Sequence, residues 1–143
     1  MTWLQLANRT AIVTGAGSGI GKSTSIALYE QGCHVILADI DNSKCDDTAH
    51  EIITKNQPKY MDKDIRPPTI RTITCDVTVS SQVKHLIETA DQVSRKSMMT
   101  LKQKENNPHH RHEFSIPDLA SILVNCAGIT RDNFLSKMNE GEQ

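Results

Sequence analysis

Apolar positions along the chain fall into two alternating rhythms. Short, β-branched runs occur at Ala11-Ile12-Val13, Val35-Ile36-Leu37-Ala38, the Thr/Ile-rich segment 69–75, and Ile122-Leu123-Val124. Unbroken apolar runs of this length suit strands covered on both faces of a parallel sheet. Between them the spacing becomes helical. Ile20, Ala27 and Leu28 share a face with Thr24, which predicts a helix of about three turns closed by Gly32 as its C-cap. Ala49, Ile52 and Ile53 predict a helix over 43–55. Val79, Val83, Leu86, Ala90 and Val93 recur at three- and four-residue steps, with Thr78 as N-cap. The polar, proline-containing stretch 56–68 reads as a loop, and 94–117 as a polar surface insertion before the fourth strand. The order β-α-β-α-β-α-β predicts an α/β domain over 1–143, with about four parallel strands and helical crossovers on both faces.

Composition narrows what such a sheet does. The 143 residues fit the usual length of one domain, and 16 Lys+Arg against 17 Asp+Glu leave a formal charge of −1. That balance argues against a nucleic-acid partner, whose footprint is normally basic. No apolar run approaches the ~20 residues of a membrane helix, and the opening MTWLQLANRT resembles neither a signal nor a transit peptide. Cys33, Cys45, Cys75 and Cys126 form no CxxC pair, which suggests free thiols in a reducing, intracellular compartment. His109, His110 and His112 cluster beside Pro108 in the polar stretch and read as a solvated segment rather than a metal site. Four of the seven glycines lie between Gly15 and Gly21, and that concentration marks a functional loop.

Residues 14–21 read Thr-Gly-Ala-Gly-Ser-Gly-Ile-Gly, after a strand and before a helix. A nucleotide-binding turn needs glycine where the chain turns sharply, where backbone approaches a pyrophosphate, and where helix packs on strand. The N-terminus of the following helix then offers N–H groups and a positive dipole end to the phosphates. A rival pattern overlaps it. Ala16-x-x-x-x-Gly21-Lys22-Ser23 resembles a relaxed phosphate loop of an NTPase, in which Lys22 would reach the β- and γ-phosphates and Ser23 would bind Mg²⁺. Asp39, 18 residues after Gly21, favours the dinucleotide reading, because an acid at an offset of ~20 residues meets the adenosine ribose hydroxyls and repels a 2′-phosphate.

Four separated segments together resemble one family, the short-chain dehydrogenases/reductases. They are the glycine segment 14–21, Asp39, Cys75-Asp76-Val77 and Asn125-Cys126-Ala127-Gly128. The resemblance implies a Rossmann-like, doubly wound sheet of which this chain is the N-terminal half. It also implies a dinucleotide site made from Gly15, Ser18, Gly19, Ile20, Gly21, Asp39, Asp76, Val77, Asn125, Ala127 and Gly128. Asp76 matches the acid that caps the adenine, and Asn125, Ala127 and Gly128 match the segment lining the nicotinamide ribose. Segment 125–138 is similar to the branch containing 3-oxoacyl-acyl-carrier-protein reductases and 17-beta-hydroxysteroid dehydrogenases. Asp39, with no basic residue at Ser18, resembles NAD-using rather than NADP-using members. The implied substrates are 3-oxoacyl or 3-hydroxyacyl thioesters or steroid alcohols. The implied assembly is a homo- or hetero-tetramer, and the implied compartment is the cytoplasm or mitochondrial matrix. Arg131 and Lys137 match positions near the substrate mouth, where solvated charge is the simpler reading.

The family's catalytic signature is a serine followed by Tyr-x-x-x-Lys. Tyr29 is followed four residues later by Cys33, and Tyr60 by Asp64, so no catalytic residue is assigned. The expectation is a dinucleotide-holding unit without dehydrogenase activity of its own, acting as part of a larger enzyme or as a non-catalytic subunit.

Overall fold

The computed structural model describes residues 5–60, 66–104 and 119–128. Four parallel strands, β1 (Thr10–Thr14), β2 (His34–Asp39), β3 (Ile70–Thr74) and β4 (Ile122–Asn125), pair in the order β3-β2-β1-β4. Helices α1 (Gly19–Glu30), α2 (Asn42–Asn56) and α3 (Ser80–Lys104) connect them, with a short 3₁₀ turn at Gln57–Tyr60 after α2. This is the predicted Rossmann-like, doubly wound arrangement.

Side-chain alternation along the central strands divides the core in two. Val13, Val35 and Leu37 face α1 and α2, where Cys45, Ile52 and Tyr29 complete a cluster. Ile12, Ile36 and Ala38 face the other way, onto Leu86, Ala90 and Val93 of α3. Because β1 and β2 are covered on both sides, almost every residue in them is buried. The aliphatic runs in the sequence follow from that double burial. At β4, Ile122 and Val124 pack toward the first cluster. Leu123, opposite Ile12 in the ladder, remains 62% exposed. Among the described residues α3 lies over β1 and β2 and leaves that face of the edge strand bare.

The helix boundaries and faces depart from the periodicity in informative ways. α1 ends in a Schellman motif: Cys33 N–H donates to the Leu28 carbonyl and Gly32 N–H to that of Tyr29, with Gly32 at φ +87°. Its buried stripe is Gly21, Ser25 and Tyr29, whereas Ile20 is 77% exposed and Ala27 lies at the surface. The predicted face is corrected at Ile20 and Ala27, while Leu28 does pack against the core; α1 sits close to the backbone beneath it, so the facing positions near its start must be small. Ile53 on α2 is likewise exposed, and Cys45, Thr48, Ile52 and Asn56 point inward.

Thr78 is not the cap of α3. Its N–H and hydroxyl both donate to Asp76 Oδ1, at 2.9 and 2.6 Å, and the Val79 carbonyl accepts the first helical bond, from Val83. Nor does the chain leave regular structure at residue 94. α3 continues to Lys104, so the expected insertion is corrected over 94–104. The remainder of it, with His109, His110 and His112, lies outside the described residues. The polar residues that suggested a break are held by the fold. Ser94 is 1% exposed, and Ser97 Oγ lies 2.7 Å from His34 Nε2.

His34 ties three elements together. Its Nδ1 accepts the Thr69 N–H at 2.8 Å, just before β3, while Nε2 meets α3 at Ser97. With Nδ1 used as an acceptor, the ring is neutral and its proton sits on Nε2. Burial lowers the pKa of His34 below its ordinary 6.5. The neutral folded ring therefore contributes stability that is fully present above the unfolded pKa. It is lost as pH falls from about 6.5 toward the lower folded value. Urea midpoints should fall between pH 7 and pH 5, with His34 supplying a slope of up to ~1.4 kcal/mol per pH unit. A His34→Gln variant should lose that component, and an unchanged slope would refute the assignment.

Candidate functional site

All four sequence segments arrive at one edge of the sheet, the carboxyl ends of its strands. This is where open α/β sheets bind ligands. Backbone hydrogen bonds hold the ends together: Ala16 N–H donates to the Ala38 carbonyl at 3.1 Å, Cys75 N–H to Asp39 at 2.8 Å, and Cys126 N–H to Thr14 at 3.2 Å. The site is thus built on rigid ladder ends and the loops leaving them.

The glycine loop is shaped by exclusion. A Cβ on Gly21 would collide with the Gly15 carbonyl, so only glycine lets α1 begin so near the strand. Gly15 has φ +65°, and a Cβ there would lie 2.6 Å from the Cys126 carbonyl oxygen. Gly19, at φ +53°, has open space around it and is required by conformation alone. Ser18 stands at the N-cap of α1 in extended conformation, and its side chain makes no capping hydrogen bond. No acidic residue occupies the first turn. The N–H groups of that turn are therefore left with their dipole facing the loop. α2 differs, since its N-cap Asp41 accepts from Ser43 N–H at 3.1 Å.

Asp39 closes the loop from the side. Its Oδ2 accepts the Gly17 N–H at 3.0 Å and its Oδ1 the Asp41 N–H at 3.2 Å, which orients the carboxylate at the end of β2. Each oxygen retains a lone pair for a hydroxyl donor. Asp76 lies one strand over, and its engagement with Thr78 holds its carboxyl below the usual aspartate value. Its N–H donates to Gln82 Oε1 at 2.7 Å, so this residue also organises the turn into α3. Exposed Ile20 and Val77 present apolar surface beside these polar groups. Asn125 ends β4 opposite Thr14, and Ala127 and Gly128 follow it at the exposed rim.

A seam on α2 supports the loop. The Lys44 stem lies against Gly17. One turn on, the buried Thr48 hydroxyl lies 3.1 Å from the Ala16 carbonyl it donates to. Farther along, Lys22 Nζ pairs with Glu51 at 2.6 Å. Lys22 and Lys55 together hold the Glu51 carboxyl down at about 2. The lysine that an NTPase reading would aim at phosphates is thus engaged with a neighbouring helix.

A family model described as short chain dehydrogenase matches residues 9–99. The chain belongs to the short-chain dehydrogenase family. The (3R)-3-hydroxyacyl-CoA dehydrogenase of Canis lupus familiaris is 30% identical over 140 residues, covering 97% of this chain and 44% of that protein. Its namesake from Rattus norvegicus is 31% identical over 137 residues, covering 96% and 43% respectively. The chain therefore spans less than half the length of these relatives. Among solved structures, a citronellol catabolism dehydrogenase from Pseudomonas aeruginosa PAO1 superposes with a TM-score of 0.55 at 25% identity, covering 95% of this chain and 41% of that one. A Burkholderia xenovorans structure described as a short-chain dehydrogenase/reductase gives 0.65 at 22% identity, with 96% and 43% covered. The family is one of NAD(P)-dependent oxidoreductases. The open helix terminus, the glycine cradle and the Asp39 carboxylate fit such a dinucleotide.

Three residues of this candidate site are not picked out by the sequence. Thr14 Oγ1 accepts N–H groups from both Cys126 and Ala127 at 3.2 Å, joining β1 to the segment after β4. Gly17 lacks room for a side chain, since a Cβ would meet Lys44 Cβ at 2.6 Å. Its place in the glycine run was the available signal. Thr48 had none, because its contact depends on how α2 lies across the loop. Arg131 and Lys137 fall outside the described residues. A groove of about 380 Å³ lined by His50, Ile53 and Arg71 lies at the β3 edge, away from these groups.

The two positive-φ glycines of the loop separate conformation from crowding. Gly19→Ala should cost ~1–2 kcal/mol, the left-handed penalty alone. Gly15→Ala should cost ~2–4 kcal/mol because overpacking against the Cys126 carbonyl adds to it. Urea denaturation of both variants checks the order; equal losses would contradict the geometry.

Proposed function

We propose that this chain binds NAD(H), with the diphosphate at the open N-terminus of α1 and the adenosine ribose on Asp39. The observation that carries the reading is the Asp39 carboxylate, oriented by the Gly17 and Asp41 N–H groups beside a helix start with no side-chain cap. Gly15, Ser18, Gly19, Ile20 and Gly21 form the phosphate-side surface. Asp76 and Val77 flank the adenine, and Asn125, Ala127 and Gly128 lie toward the nicotinamide. The charge and position of Asp39 favour NAD over NADP, since a carboxylate accepts from two ribose hydroxyls and repels a 2′-phosphate.

When bound, the nicotinamide would deliver hydride to a carbonyl carbon or accept it from an alcohol carbon. The residues of this chain contribute binding and orientation, and no Tyr-x-x-x-Lys stands among the 143 residues to move the proton. The names of the mammalian relatives support 3-hydroxyacyl thioesters as the substrate class of the enzyme to which this unit corresponds; steroid alcohols are the second class. Among the described residues Leu123 on the edge strand is exposed, which supports a partner surface there.

Calorimetric titration of Asp39→Ala tests the cofactor assignment. Loss of charge-assisted hydrogen bonds at ~1.5–3 kcal/mol should lower NAD⁺ affinity about 10- to 100-fold. NADP⁺ affinity should hold or rise. An unchanged preference between the two would refute the role of Asp39.

A further inference from the structure

Asp39 does not stand alone at the end of β2. Two residues on, the Asp41 side chain caps α2: its Oδ1 accepts from Ser43 N–H at 3.1 Å and from the Ser43 hydroxyl at 2.6 Å. Its Oδ2 faces Lys44 Nζ at 3.7 Å. The Lys44 stem rises from the point where the glycine loop meets Asp39. A Cβ at position 17 would be 2.6 Å from Lys44 Cβ and 3.0 Å from Asp39 Oδ2. Loop backbone, ribose-facing carboxylate and lysine stem therefore meet within contact distance. The Lys44 side chain is 58% exposed, and a flexible four-carbon stem lets its ammonium sweep a wide arc. At 3.7 Å in solvent, the pair with Asp41 is weak and a stronger anion would displace it.

We propose that Asp41 is a cofactor-selectivity residue that works through Lys44, in addition to Asp39. This rests on the reading that Asp39 receives the adenosine ribose. A phosphate on the ribose 2′-oxygen would enter beside Asp39, within the arc of Lys44. Asp41 opposes that phosphate by engaging Lys44, the side chain that would otherwise reach and neutralise it. Removing the Asp41 charge releases Lys44 to pair with the phosphate. The hydroxyls of NAD⁺ gain much less, because a neutral ribose does not attract the ammonium.

Calorimetric titration of NAD⁺ and NADP⁺ against the wild-type chain, Asp41→Asn, Lys44→Met and the double variant tests this. Asparagine caps a helix as well as aspartate does, and methionine keeps the stem against Gly17, so both variants preserve the local fold. Urea midpoints confirm that they do. Asp41→Asn should raise the ratio of NADP⁺ to NAD⁺ affinity about two- to fivefold, in the range of one exposed ion pair. The gain should vanish in Asp41→Asn/Lys44→Met. A ratio unchanged by Asp41→Asn, in a chain that binds NAD⁺, overturns the proposal and leaves the role of Asp39 intact. A gain that survives in the double variant also overturns it, since loss of repulsion alone would then be the cause. A wild-type chain that binds neither dinucleotide overturns the nucleotide reading and this proposal with it.

Discussion

Two backbone carbonyls stand where side chains would otherwise be. The Gly15 carbonyl occupies the space of a Cβ on Gly21, and the Cys126 carbonyl that of a Cβ on Gly15. Through these two exclusions β1, the loop, α1 and the segment after β4 come within backbone contact of one another. Thr14 secures the arrangement by accepting the Cys126 and Ala127 N–H groups. A side chain at either glycine would move the helix start away from the strand ends, and the open N–H groups of α1 would no longer share an edge with Asp39. The candidate site follows from close approach more than from any single polar group.

The second layer of the site is electrostatic and comes from α2. That helix presents Lys44, Thr48 and Glu51 along one side, and each meets the loop or α1. Thr48 is buried and fixes the Ala16 carbonyl, while Lys22 and Glu51 join the two helices. Lys22, which an NTPase reading would aim at phosphates, is instead paired with Glu51 on α2. The offset of Asp39 from Gly21 already favours the dinucleotide reading in the sequence.

The central strands are readable because double burial leaves an unmistakable composition: Ile12, Val13, Val35, Ile36 and Leu37 have no solvent face to disguise them. The motif residues were readable for a related reason. Parallel strands with crossover helices place every strand-to-helix loop at one edge, so Gly15, Asp39, Asp76 and Asn125 had to converge. The helix faces were harder. Periodicity favoured Ile20 and Ile53, yet close packing against backbone selects Gly21 and Ser25, and the Ser25 hydroxyl returns 2.8 Å to the Gly21 carbonyl. The length of α3 is not legible in the pattern, because polar residues in its second half are buried or bonded rather than exposed. Ser94 is buried and Ser97 meets His34, 63 residues away in the chain.

By itself, the sequence determined the parallel α/β architecture, the edge at which chemistry can occur, and the acid that faces it. These depend on local composition and on the handedness of crossovers, both of which are written residue by residue. Tertiary structure decided the rest: which helix positions are small enough to touch backbone, that Thr14 and Thr48 brace the loop, that Lys22 is tied to α2, and that Lys44 stands beside Asp39. Each of the bracing contacts, Thr14 with Cys126, Thr48 with Ala16 and Lys22 with Glu51, joins groups distant in sequence. Its strength depends on separations of a few tenths of an ångström that no local pattern records.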